Sequence, residues 1–148
     1  MQATIRTASA ADLDGLLALY RHLHPAEAPP TPENVARAWS AMLNAAILRV
    51  FIAEAAGLLV ATCALTIIPN LTRGARPYGL IENVVTHPGH RRTGLGRAVL
   101  AAALEAGWAA GCYKVALSTG SQRESTLRFY ATSGFIRAGR TVFEARRP

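Results

Sequence analysis

A chain of 148 residues is about the length of one domain and can bury a continuous core. Its 51% apolar content excludes a disordered chain, and no apolar run approaches the ~20 residues that a membrane-spanning helix needs. The net charge is +7, but all except one of the 16 basic residues are arginine, they form no block, and no aromatics interleave them. That pattern argues against nucleic acid and equally suits an anionic small molecule. The opening MQATIRTASAADLDG lacks the basic head and apolar run of a secretory signal. Cys63 and Cys112 lie in apolar strand-like runs and read as buried, reduced thiols. A cytoplasmic protein is the expectation.

In chain order, ATIRTA (residues 3–8) reads as a short strand. Ser9, with Asp12 at capping-box spacing, opens a helix with Leu13, Leu16, Leu17 and Tyr20 on one face. After the loop PAEAPPTP, Thr31-Pro32 starts a second helix that runs to about Ala46. ILRVFIAEA and LLVATCALTII are strands joined by a turn at Ala56-Gly57, and PNLTRGARPYG is a loop dense in turn formers. LIENVVT is a further strand, HPGHRRT a loop, and residues 94–110 a helix stopped by Gly111. CYKVALST is a strand, residues 122–132 a helix ending near Gly134, and FIRAGRTVFEA a closing strand or hairpin. No repeat or linker interrupts this order, so residues 1–148 are expected to form a single domain, a mixed α/β sheet flanked by helices.

The stretch HPGHRRTGLG joins a strand to a helix. Helix starts leave backbone N–H groups unpaired and positively polarised. Glycine there lets an anion approach without striking a Cβ. Arg91, Arg92 and Arg97 add charge around Gly94 and Gly96, so the stretch reads as a phosphate cradle. A dinucleotide fingerprint would put Gly or Ala where Val99 stands, and a nucleoside-triphosphate loop would need Gly-Lys-Ser/Thr. Neither is present; Arg-x-x-Gly-x-Gly remains.

That pattern resembles the Gln/Arg-x-x-Gly-x-Gly/Ala signature of the GNAT superfamily of N-acetyltransferases. Pro88 stands ahead of Arg91 as at the family's strand end, and LRFYATSGF resembles its second hallmark, an aromatic-Tyr pair followed by x-x-x-Gly-Phe. IENVVTHPGHRRTGLG and GCYKVALS are also similar in part to glucosamine-6-phosphate N-acetyltransferases, with departures at Asn83, Arg123 and Thr126. The resemblance covers essentially the whole chain. It implies a mainly antiparallel sheet of six to seven strands with about four helices, splayed at the strand before the cofactor loop. It further implies acetyl-CoA as cosubstrate and no metal. Val84, Val85 and Thr86 would pair with the pantetheine arm, the Val85 N–H facing the thioester oxygen. Arg91, Arg92, Thr93, Gly94, Leu95, Gly96 and Arg97 would hold the pyrophosphate, and Arg123 stands where many members have a CoA-contacting Asn. Tyr130 matches the general acid: a phenol of usual pKa about 10 keeps its proton at pH 7 and can give it to a thiolate of about 8.5. Glu82, on the strand lining the acceptor side, is the candidate base, against a plain solvated or paired role.

In the family the acceptor lies across the sheet from CoA, beside the first two helices and the loop between the third and fourth strands. Glu82, Asn83, Arg73, Arg76 and Tyr78 are the candidate contacts here. Two arginines in such a loop suit a carboxylate or phosphate; the alternative is that they solvate a mobile loop. The reading is acetyl transfer to the primary amine of a small anionic acceptor, an amino-sugar phosphate or amino acid, by direct attack in a ternary complex. No nucleic-acid or membrane partner is expected, and a homodimer is compatible. A protein N-terminal or lysine acetyltransferase, or a non-catalytic acetyl-CoA-binding sensor, are the alternatives. His22-x-His24 and the His87/His90 pair lack a third ligand nearby and read as surface histidines. Cys112 and Tyr113 read as core, and Trp39 and Trp108 as packing anchors.

Overall fold

Phe51–Ala53 and Val60–Leu65 are apolar almost without alternation, as in strands covered on both faces. In the computed structural model, which describes residues 2–148, they form the buried centre of one mixed sheet. Its strands are β1 (Ala3–Thr7), β2 (Leu48–Ala55), β3 (Leu58–Ile68), β4 (Tyr78–Thr86) and β5 (Val115–Ala116), in the spatial order β1-β2-β3-β4-β5. Every neighbouring pair is antiparallel except β4 and β5, which run parallel. Thr62, the buried polar exception in β3, donates its hydroxyl to the Phe51 carbonyl at 2.8 Å.

Five helices accompany the sheet: α1 (Leu13–Leu23), α2 (Pro32–Asn44), α3 (Thr72–Ala75), α4 (Leu95–Ala109) and α5 (Glu124–Thr132). Leu16 of α1 and Trp39 and Met42 of α2 pack on Val50, Ile52 and Ala64, which defines one face of the sheet. On the other face α4 buries Gly96, Val99, Leu100, Ala103 and Gly107, one stripe at helical spacing. Cys63 points into that side, its thiol 3.5 Å from the Val99 carbonyl and pushed up to about 12 by burial. Both cysteines are free and buried. Gly107 lets α4 lie against β5: a Cβ there would stand 2.7 Å from Cγ2 of Val115.

Ser9 opens a short 3-10 turn, Ala10–Asp12, rather than α1 itself. The Asp12 carboxylate accepts the Ser9 N–H at 2.7 Å and two Arg6 guanidinium bonds at 2.8 Å. Arg6 also reaches Glu54 of β2 at 2.8 Å. The Arg6 hydrogen bonds hold the Asp12 carboxyl far below the usual carboxylate range, and Asp12 in turn raises Arg6.

The described residues fall into two compact units, one running to Leu117 and the other Ser118–Pro148. In the second, α5 ends in a Schellman-type stop: Gly134 is left-handed (φ 98°), and the Ser133 and Phe135 amides both donate to the Tyr130 carbonyl. Phe135 folds back edge-on to the Tyr130 ring, with centroids 6.2 Å apart. The helix-ending Gly-Phe of the sequence is therefore a cap and its hydrophobic contact.

Two expectations need correction. Five strands form among the described residues rather than six to seven, because residues 136–148 carry no ladder and leave Ile136, Val142 and Phe143 exposed. β-branched and aromatic residues make a strand only where a neighbour offers backbone partners. The helices number five rather than about four, because the loop after β3 contains the single turn α3. This turn is left-handed at Arg73, Gly74 and Ala75 (φ 57°, 73° and 57°), a conformation that apolar periodicity cannot signal.

Candidate active site

The site grows from an irregularity in β4. Thr62 pairs with Val85 and Ala64 with Glu82, so Asn83 and Val84 together oppose Cys63 alone. The extra residue is a β-bulge, with Asn83 in the left-handed region at φ 54°, which asparagine tolerates better than most residues. On the other side of β4, the ladder to β5 covers Gly79 and Leu80 only. Residues 81–86 therefore have no strand along that edge among the described residues.

Backbone direction along this open edge follows from one hydrogen bond. The His87 amide donates to Val60 of β3 at 2.8 Å. Amide directions alternate along an antiparallel strand, so Val85 also faces β3, while Val84 and Thr86 turn to the open edge. The Thr86 carbonyl, so placed, accepts from Arg91 Nε at 3.4 Å. By register, then, Val85 sits in the β3 ladder, while Val84 belongs to the bulge beside the open edge. Val85 is itself buried. Glu82, opposite Ala64, stands exposed on the α1–α2 face, and Asn83 is exposed at the bulge.

Beyond β4 the chain makes a 3-10 turn, Pro88–His90, capped by the His87 ring, whose Nδ1 accepts the Gly89 N–H at 3.1 Å. Thr93 closes the loop by donating to the His90 carbonyl. Arg91 and Arg92 are exposed, and Arg92 is left-handed at φ 60°. Gly94 is the N-cap of α4 at φ 85°, and a Cβ built there would meet nothing within 4 Å. With no side-chain cap bond and no acidic residue in the first turn, the start of α4 at the exposed Gly94 is an electropositive backbone surface.

At the opposite end of β4 a second set of charges gathers. Asn70 Nδ2 donates to the carbonyls of Thr72 (2.9 Å) and Arg76 (3.2 Å), and Arg76 Nε donates to the Arg73 carbonyl at 2.9 Å. This pinned turn brings both guanidinium carbons to 5.9 Å from the Tyr113 ring centroid. Lys114 Nζ lies 5.6 Å from the Tyr113 ring and 5.7 Å from Tyr78. Tyr113 N–H to Pro77 and Gly79 N–H to Lys114, both 2.9 Å, lock β5 against the loop. Arg73, Arg76 and Tyr78 thus gather around Tyr113. Tyr113 and Lys114 were missed, because residues some forty positions away in sequence meet there only in the fold.

In the C-terminal unit, Arg123 is the N-cap of α5 without a side-chain cap bond, its amide donating to Ser121 Oγ at 3.3 Å. Tyr130 is half-buried, its ring 5.1 Å from that of Phe129. His22 and His24 are exposed, as a surface reading expects, whereas His87 and His90 are half-buried. His22 of α1 meets the His87 ring edge-on at 4.8 Å, His87 meets His90 at 5.6 Å, and His90 Nδ1 is buried without a hydrogen bond. Among the described residues no three His, Cys, Asp or Glu side chains gather as a metal-ligand set, and no helix is long and apolar enough to cross a membrane.

A mainly antiparallel sheet with a bulged β4 leads into an arginine-flanked helix start that no side chain caps. Residues 13–135 match the Acetyltransferase (GNAT) family, and the chain belongs to it. It is an acyltransferase. The chain is 37% identical over 133 residues to a glucosamine 6-phosphate N-acetyltransferase of Trypanosoma brucei brucei, covering 88% of this chain and 87% of that protein. A solved protein of Agrobacterium tumefaciens str. C58, described as a candidate acetyltransferase, is 42% identical with a TM-score of 0.92, over 97% of this chain and 99% of that one. A solved Trypanosoma brucei acetyltransferase is 31% identical with a TM-score of 0.82, over 98% and 100% of the two chains.

Proposed function

We propose that this acetyltransferase moves the acetyl group of acetyl-CoA to the primary amine of a small anionic acceptor, by direct attack in a ternary complex. The observation that carries the reading is the open edge of β4: around the Asn83 bulge, residues 81–86 have no ladder on the side away from β3, and the strand leads on to a helix start that no side chain caps. Acetyl-CoA fits that surface. Its pyrophosphate suits the first turn of α4, where Gly94 leaves room, with Arg91, Arg92 and Arg97 as counter-charges. Its extended arm suits an unpaired strand edge.

When bound, acetyl-CoA supplies a thioester carbonyl for the amine to attack and a thiolate to leave. The Val84 N–H is the donor for the carbonyl oxygen as charge builds on it, and one such preorganised donor contributes roughly 3 kcal/mol. Glu82 accepts the amine's proton, directly or through water. Tyr130 holds a proton for the departing thiolate, an assignment that rests on the family signature around it. Arg73, Arg76 and Tyr78 receive the acceptor's anion, a reading supported by their convergence and by the named relative's sugar-phosphate acceptor. The family match runs across the boundary between the two compact units, which favours one functional domain.

The test is turnover of an amine panel followed by free-thiol release, in the parent and in Tyr130→Phe. The variant keeps the ring packing and loses the proton, so kcat should fall about a hundredfold or more with acetyl-CoA affinity nearly unchanged. An unchanged kcat returns Tyr130 to a packing role.

A further inference from the structure

We infer that His87 is a positioning residue for acetyl-CoA: uncharged, it fixes the loop that leads to the start of α4, and on protonation it releases that loop. The inference rests on the cofactor site proposed above.

The loop is fastened step by step from one ring. Nδ1 of His87 accepts the Gly89 N–H at 3.1 Å, and the His90 amide donates to the His87 carbonyl at 2.8 Å. Together these bonds close the turn Pro88–His90. The Thr93 hydroxyl then donates to the His90 carbonyl, one residue before the left-handed Gly94. A change in the turn is therefore carried to the stretch from Arg91 to Gly94. An imidazole nitrogen accepts a hydrogen bond only while it carries no proton. Protonated at Nδ1, His87 would set a donor against the Gly89 donor, and the cap would fail.

The surroundings offer that proton no partner. His22 of α1 meets the His87 ring edge-on at 4.8 Å and His90 meets it at 5.6 Å, so both neighbours are themselves imidazoles. His90 Nδ1 is buried without a hydrogen bond. The other charged groups close by are cations: Arg91, whose Nε donates to the Thr86 carbonyl at 3.4 Å, and the exposed Arg21 beside His22. Among the described residues no carboxylate forms an ion pair with these histidines. The acid within α1, Asp14, stands eight residues before His22, about 12 Å along the helix. Glu82 stands five residues before His87 on β4, roughly 16 Å at the usual rise. On β3, whose Val60 carbonyl accepts the His87 amide, the titratable group is Cys63, and it faces α4. Histidine is the side chain whose charge ordinarily changes between about pH 5 and 8. The cap is complete above that range and fails as pH falls through it.

Full-length protein would be titrated by calorimetry between about pH 7.5 and 5.5, inside the histidine range. Dephospho-CoA is the probe, because it lacks the terminal phosphate whose own protonation would mimic the effect. The parent should lose about three- to tenfold in affinity toward acid, the net contribution of one hydrogen bond. His87→Asn offers a side-chain oxygen to the Gly89 N–H and does not titrate, so it should bind like the parent at the upper pH and keep that affinity in acid. His87→Phe keeps a ring without an acceptor and should bind about three- to tenfold more weakly at both ends of the range. A flat parent profile overturns the inference, as does an equal acid loss in His87→Asn. Parent-like affinity of His87→Phe at the upper pH overturns it as well. A parent that binds neither dephospho-CoA nor acetyl-CoA at any pH would instead remove the cofactor site, and the inference with it.

Discussion

The two ends of β4 are built by different rules. At its C-terminal end, strand, bulge, loop and helix start follow one another without interruption from Glu82 to Arg97. The chemistry there is mostly backbone: amides on an open edge and an uncapped helix, with glycine where a Cβ would intrude. At its N-terminal end the chemistry is side-chain charge, gathered from the loop after β3 and from β5. A backbone site is written as a contiguous motif, because each residue must adopt a particular conformation in order. A charge site needs only that its members arrive, and so it leaves no local pattern.

The comparison breaks most sharply at Gly94. Gly94→Glu forces a side chain onto a backbone at φ 85° and sets a negative charge in front of the α4 N-terminus. Acetyl-CoA affinity measured by calorimetry should fall more than a hundredfold, about 3 kcal/mol. The acceptor end should still bind inorganic phosphate as the parent does. Normal acetyl-CoA affinity in this protein would place the cofactor elsewhere.

Next in size is the opposite end. Replacing Arg73 and Arg76 together by Ala removes two of three converging cations. Charge-assisted hydrogen bonds contribute roughly 1.5 to 3 kcal/mol each, so the KM of an anionic acceptor should rise at least ten- to a hundredfold. Acetyl-CoA affinity should stay put. Equal activity of the double variant, or better turnover of cationic polyamines than of anionic amines, would make the arginines loop solvation.

This contrast also sets what could be read in advance. The helix starts at Thr31-Pro32 and at Gly94, the turn at Ala56-Gly57, and β3 at residues 58–68 were legible, because helix-start residues, turns and long apolar runs are local signals. The bulge was not. Nothing in LIENVVT marks Asn83 as left-handed, or shows that two residues of β4 oppose one of β3 there. Tyr113 and Lys114 looked like an ordinary strand start, and only the backbone bonds to Pro77 and Gly79 bring them to the loop. The closing strand was expected from residue type alone, and type does not supply a ladder partner. His22, His87 and His90 likewise come together only when α1 crosses the end of β4.

A change remote from both ends should disturb neither, and Asp12 provides it. Its carboxyl is held far below the usual range by Arg6, so its contribution to stability is fully present above the unfolded carboxylate pKa of about 4. That contribution is lost progressively as pH falls from there toward the depressed folded value. Arg6 is about a third exposed, which keeps the pair below the 3–5 kcal/mol expected of a fully buried one. Asp12→Asn should cost about 2 kcal/mol in urea unfolding at pH 7, and the gap to the parent should narrow below pH 4. KM values for both substrates should hold. A gap that widens in acid would mean that Asp12 is stabilised by something other than its charge.

The smallest expected change in stability tests the residue between the two ends. Asn83 sits at φ 54° in the bulge, where a β-branched side chain is strained and glycine is not. Asn83→Val should therefore lose about 1 kcal/mol, roughly 3 °C in Tm for a domain of this size, while Asn83→Gly stays near the parent. The kinetic signature separates a bulge that aims the Val84 amide from one that merely fits. If the bulge aims it, the Val variant loses kcat while its KM for the acceptor's anion, set at Tyr78 and beyond, does not change, and the Gly variant keeps most of its rate. If Val is tolerated with full rate and stability, the bulge does not position the oxyanion donor. Thr86, whose carbonyl is already engaged by Arg91, would then be the remaining donor on the open edge. If instead both KM and kcat change together, β4 has slipped in register. A slip of one residue would carry Glu82 off the acceptor face and uncouple the two ends that the strand now holds at a fixed distance.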